Sequence, residues 1–171
     1  MRLPAERRPG NITATLNRLV EFPAFASAID LIDVDGDLEV LVVELSELLT
    51  RVYLANAIDI RTFICFVHGV TGVHALANIA SHVSQPTARS LACYAWQTGC
   101  ALYTAFGGGA VFAERVEPVE EDARILIDRA VANGDEHAIK FTEACFSRHI
   151  LAPSPAYLAA IRHAIGIVGG R

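Results

Sequence analysis

Apolar residues recur every three or four positions along most of the chain. Between positions 37 and 56 they fall at Leu38, Leu41, Val42, Leu45, Leu48 and Leu49, which lines one face of a helix. A shorter amphipathic stretch occupies 12–21, after Pro9-Gly10. Residues 60–67 form an apolar helix, and Gly69 and Gly72 predict a break before a further helix that Thr71 caps and that runs to about Val83. Ser84 or Gln85 followed by Pro86 opens the next helix, which reaches Phe106 and stops at Gly107-Gly108-Gly109. Along it, Ala88, Ala92, Ala95 and Gly99 form a stripe of small side chains that admits a closely packed neighbour. The last third predicts helices over 119–132, from an Asp135 cap to about Ile150, and from Ser154-Pro155 to Val168, with a turn at Asn133-Gly134. No stretch alternates with the period of a strand, so the fold class expected is all-α: one domain of about seven helices over 11–171, preceded by a loose tail at 1–10.

Composition narrows this picture. The 171 residues are 53% hydrophobic and 19% charged, with a mean hydropathy of +0.37. So apolar a chain has either a large core or a surface that a partner covers. Residues 62–88 and 90–113 carry no Asp, Glu, Lys or Arg, and each is long enough for a bilayer. Yet His68, His74, Asn78 and His82 interrupt the first, and Tyr94, Trp96 and Gln97 sit mid-stretch in the second, so both read as helices buried in protein. A net charge of −5, with cations clustered only at Arg2, Arg7 and Arg8, argues against nucleic acid. Cys65, Cys93, Cys100 and Cys145 have no CxxC spacing and read as reduced thiols. Without a secretory leader pattern, the expected location is the cytoplasm.

Chemistry concentrates in two places. Lys140 is the single lysine beside thirteen arginines, and it lies three residues after His137, one turn on and on the same helical face. The spacing also allows a solvated helix start, with Glu136 and Lys140 paired and His137 in water. His68 and His74 lie in the uncharged stretch FVHGVTGVHAL; on a straight helix they diverge by about 120°, and a glycine break would turn both rings inward, toward backbone partners or a metal. The acidic run at 33–44 has Leu38 where a calcium loop needs glycine, so it reads as a turn and cap.

HGVTGVHAL (68–76), YAWQTGCALYTAFG (94–107) and GDEHAIKFTEAC (134–145) together resemble the C-terminal half of the questin oxidase-like family, oxygenases of anthraquinones and related aromatic polyketides. The resemblance spans about 11–161. It implies a non-haem iron, Fe(II), held by His68, His74 and His137 with Lys140 carboxylated on its side-chain nitrogen, and either ring cleavage or Baeyer-Villiger-type oxygen insertion. Dioxygen and a small aromatic compound would be the substrates. Thr71, Gln97, Glu136 and Glu143 are the polar residues available to orient the ligands, and Tyr94, Trp96, Tyr103 and Phe106 those available to wall an aromatic substrate. No dinucleotide fingerprint is present, so NADPH would bind elsewhere or act through a partner. Family members are about twice as long and carry another histidine in a half without counterpart here. A partner subunit, a second copy of this chain or water would fill that position, or the site is vestigial; the composition favours an obligate complex. The alternative expectation is a metal-free helical assembly subunit that keeps the core without the chemistry.

Overall fold

The computed structural model describes residues 12–108 and 110–169; the tail at 1–10 and Gly109 of the glycine run lie outside the described residues. The described residues are helical with no strands: α1 (Ile12–Asn17), α2 (Leu38–Asn56), α3 (Ile60–Ile79), α4 (Gln85–Phe106), α5 (Ala123–Asn133), α6 (Glu136–Leu151) and α7 (Pro155–Gly169), with 3-10 segments at Arg18–Glu21, Pro23–Leu31 and Ala80–His82. The helix starts follow their capping side chains. Asp37 accepts from the Glu39 amide, Asp59 and Thr62 form a reciprocal capping box, and Ser84 accepts from the Thr87 amide. Asp122 accepts from the Arg124 amide, and for this reason α5 begins four residues later than its apolar pattern suggests. At its end Gly134 adopts φ +77°, a left-handed turn that glycine alone enters without strain, and Asp135 then caps α6.

The expected break at Gly69 and Gly72 does not occur. α3 runs unbroken from Ile60 to Ile79, and Thr71 is no cap, since its hydroxyl donates to the Val67 carbonyl four residues back at 3.0 Å. Neither glycine interrupts the backbone because neither is asked for a special conformation: their φ angles are negative, and Gly69 lies against Leu102 and Leu49. α3 is the one helix among the described residues long and apolar enough to cross a membrane, and half of its most apolar window is buried in the fold.

α3 is also the central element. α2 and α4 pack along it, α6 crosses it, and α7 lies against α2, α5 and α6. The small-residue stripe on α4 does what it predicts. Ala88 and Ala92 are buried, and a β-carbon at Gly99 would come within 2.6 Å of Leu49 Cδ2, so glycine sets how closely α4 approaches α2. The aromatic centre is Tyr53, Phe63 and Phe141, all without solvent exposure, with the Tyr53 and Phe141 rings 4.5 Å apart.

The last turns of α2 anchor the long connection between α4 and α5. Buried Asn56 donates from Nδ2 to the carbonyls of Val52, Ala110 and Val111 at 2.9, 3.1 and 3.3 Å, and its Oδ1 accepts from the Gly108 amide at 3.0 Å. Arg51 bonds the Ala113 and Glu114 carbonyls. Asn56→Ala removes these four hydrogen bonds, three of them to exposed residues of the connection, at about 0.5–1.5 kcal/mol net for each. The expected result is a loss of about 2–3 kcal/mol of stability with faster amide exchange confined to 108–113, measured by denaturant titration and hydrogen exchange.

The Tyr53 hydroxyl and Nδ1 of His163 share a hydrogen bond of 3.1 Å. Burial raises the tyrosine pKa far above its ordinary value and lowers that of His163. The unfolded imidazole takes up a proton near pH 6.5, the folded one only at lower pH. The unfolded state therefore binds more protons in that window, and stability present at pH 7 is lost as pH falls below about 6.5. In His163→Asn, which still offers an acceptor to Tyr53 but cannot titrate, thermal melts between pH 7 and 5 are expected to fall less steeply than in the parent chain.

Candidate functional site

The site lies where α6 crosses α3. His137 occupies the first turn of α6 because Asp135 caps that helix, accepting from the amides of His137 and Ala138 at 2.9 and 3.2 Å. Across the seam stands His68, with the two imidazole centroids 6.1 Å apart and the planes at 75°. A divalent ion bound to an imidazole sits about 3.3 Å from the ring centre, so two rings on one ion lie about 4.7 to 6.6 Å apart. The observed pair falls inside that interval.

Lys140 is close enough that its charge reaches His68. The pKa of His68 is lowered, first by desolvation, then by Lys140 and by His137. All three effects favour the neutral ring, the form that offers a lone pair. Lys140 itself is exposed. The Glu136–Lys140 pair does not form among the described residues; Glu136 is 82% exposed, 3.9 Å from Nδ1 of His137.

His68 and His74 do not both turn inward. With α3 unbroken, six residues carry them about 9 Å apart along the axis and about 120° around it. His68 is exposed and faces His137, whereas His74 is buried, its Nε2 3.0 Å from a Glu143 carboxylate oxygen and 3.0 Å from the Asn78 amide. Among the described residues no three His, Cys, Asp or Glu side chains converge into a closed metal cluster. Two imidazoles beside a lysine, with a third imidazole engaged by a carboxylate, suit a borderline cation such as Fe(II) in donor chemistry but form an open half of a cage.

The other sequence candidates are dispersed. Gln97 lines an apolar groove with Leu16, Leu19 and Phe22, and Trp96 donates to the Ala28 carbonyl at 2.7 Å, so both serve the packing of the N-terminal segment on α4. Tyr94 is 61% exposed. Tyr103 packs at the core edge, and buried Phe106 lies under the Arg61 guanidinium, 5.6 Å from the ring centre. They form no common wall. Of the polar candidates, Glu143 meets His74 at 3.0 Å and Glu136 approaches His137 at 3.9 Å. Two participants were missed, each detectable by its spacing, Asn78 four residues after His74 and Ser147 four after Glu143; Asp135, expected as the helix cap, also brings its Oδ1 to 3.6 Å from Nδ1 of His137.

The thiols stay out of this chemistry. All four cysteines are free, and burial pushes Cys65 and Cys100 up to about 11 and Cys145 higher still, so their thiolate forms are scarce at neutral pH. An apolar groove of about 240 Å³ beside Glu143, between α5 and α6, is lined by Ile127, Val131, Ile139 and Phe146. Compared with protein families, curated proteins and solved structures, the chain shows no match, and its function has to be argued from these side chains.

Proposed function

We propose that this chain is a non-haem iron oxygenase, or the subunit of one, acting on an aromatic polyketide-like compound of the anthraquinone type. The observation that supports it most is the approach of His68 and His137 from separate helices to 6.1 Å, with the chain's single lysine beside them. His68, His137 and His74 would hold the metal, and Lys140, once carboxylated, would add an anionic oxygen. Bound there, Fe(II) would supply the one-electron chemistry that dioxygen needs. The chain's own contribution is to keep the His68 ring neutral and to fix His137 at a capped helix start.

The site is open, and the groove next to it is smaller than the 300–1,000 Å³ typical of ligand pockets. A partner subunit or a second copy of the chain would close it, which agrees with the apolar composition. The absence of a closed cluster among the described residues favours a second reading, a metal-free helical assembly subunit. Anaerobic reconstitution with Fe(II), followed by metal analysis and oxygen uptake with a hydroxylated anthraquinone, separates the two. Near-stoichiometric iron that His68→Ala and His137→Ala each abolish supports the first. Protein that takes up no iron, alone or with its partner, refutes it.

A further inference from the structure

We infer that Glu143 is a positioning residue for His74, holding the ring proton on Nε2 and leaving the Nδ1 lone pair as the atom offered to a metal. This rests on the metal-centre reading above. The His74 ring is 8% exposed, and both Glu143 oxygens face its Nε2, Oε2 at 3.0 Å and Oε1 at 3.1 Å. A carboxylate accepts and cannot donate, so Nε2 must carry the hydrogen. The Asn78 amide, 3.0 Å from the same nitrogen, then presents its oxygen rather than its NH2 group; the two ends are nearly isosteric, and the residue is exposed and free to turn. Ser147 Oγ donates to Glu143 Oε1 at 3.1 Å and steadies the carboxylate.

The consequence falls on the other nitrogen. Among the described residues Nδ1 of His74 is buried and finds no hydrogen-bond partner. With the proton on Nε2 it is a bare, buried acceptor, an unfavourable state unless something takes up the lone pair. A doubly protonated ring would bury an orphan N–H instead. A carboxylate on one imidazole nitrogen and a free lone pair on the other is how metal-ligating histidines are oriented and made more basic. His137, Lys140 and Glu143 stand at successive three-residue steps of α6, so one helix supplies a ring, the lysine and the group that aims a ring on α3.

Two readouts test this on the full chain labelled with ¹⁵N-histidine: the His74 tautomer from long-range proton–nitrogen correlations, assigned with His74→Gln, and Co(II) affinity. Glu143 is 61% exposed, so its substitution leaves the fold intact. The expected results are an Nε2–H tautomer in the parent, a 10- to 100-fold weaker Co(II) affinity in Glu143→Ala, as for other groups that orient ligands, and near-parental affinity in Glu143→Gln, whose amide oxygen still accepts. An Nδ1–H tautomer in the parent overturns the inference, as does undiminished Co(II) affinity in Glu143→Ala. A parent chain that binds no Co(II) while keeping the Nε2–H tautomer overturns the metal reading and the ligand role of His74, and leaves Glu143 as the group that holds the ring.

Discussion

Lys140→Arg is expected to lower Fe(II) or Co(II) affinity by at least about 100-fold, the scale of losing a metal ligand rather than a group behind one. The substitution keeps a long, positively charged side chain and removes the capacity to become a neutral, nucleophilic amine. A neutral lysine amine adds carbon dioxide, forming a nitrogen–carbon bond and releasing one proton, and so becomes an anionic oxygen donor; a guanidinium stays cationic and cannot. In this chain that distinction falls on one residue, because every other cation apart from histidine is already arginine. Lys140 has no carboxylate partner among the described residues, and its charge bears on His68, so as an ammonium it would repel any cation placed between the rings. Carboxylation reverses that sign. Anaerobic calorimetric titration in bicarbonate buffer measures the affinity, and native mass spectrometry of the parent should show the mass of one added carbon dioxide that Lys140→Arg lacks. Equal affinity in the two proteins would remove lysine from the metal centre.

The helices were legible because their start signals are local. Asp37, Asp59, Ser84 and Asp135 cap in the structure as side chains of their type do at a chain entry, and the 3.6-residue period of α2 needs no tertiary information. The 3-10 segment at Pro23–Leu31 was not legible. It has no such period, and it holds its shape through contacts with α4, among them the bond from Trp96 to Ala28. The α3 break failed for a related reason. Glycine lowers helix propensity by about 1 kcal/mol, which a helix packed on three sides readily offsets, and here α2, α4 and α6 hold it straight.

That same straightness decides how much of the site could be read. Spacing alone placed His137 and Lys140 on one face, and the structure keeps them there. It could not tell which side of α3 would meet α6. Because the helix does not bend, the rings that approach are His68 and His137, and His74 meets Glu143 instead. The candidates on α4 scatter because the helix directs Trp96 and Gln97 toward the N-terminal segment, a pairing that no local pattern encodes.

Phe141→Ala is expected to be the most damaging core substitution near the site. The ring has no solvent exposure and packs 4.5 Å from Tyr53 and 6.5 Å from Phe63, so it joins α6 to both α2 and α3. Truncating a buried phenylalanine costs about 3–5 kcal/mol, counting the cavity left behind. At about 2–4 °C per kcal/mol for a chain of this size, Tm should fall by roughly 6–20 °C. Phe141 also lies four residues after His137, one turn further along the same helix, and Tyr53 and Phe63 are its anchors. Loosening it frees the α6 start to move from α3, so metal affinity should fall along with stability even under conditions where the variant is fully folded. Phe106→Ala is the control: Phe106 is 5% exposed and stacks under Arg61 at the far end of α4, so its loss should cost comparable stability and leave affinity nearly unchanged. Equal affinity losses in both variants would mean that the His68–His137 approach depends on global stability rather than on the aromatic joint beneath it.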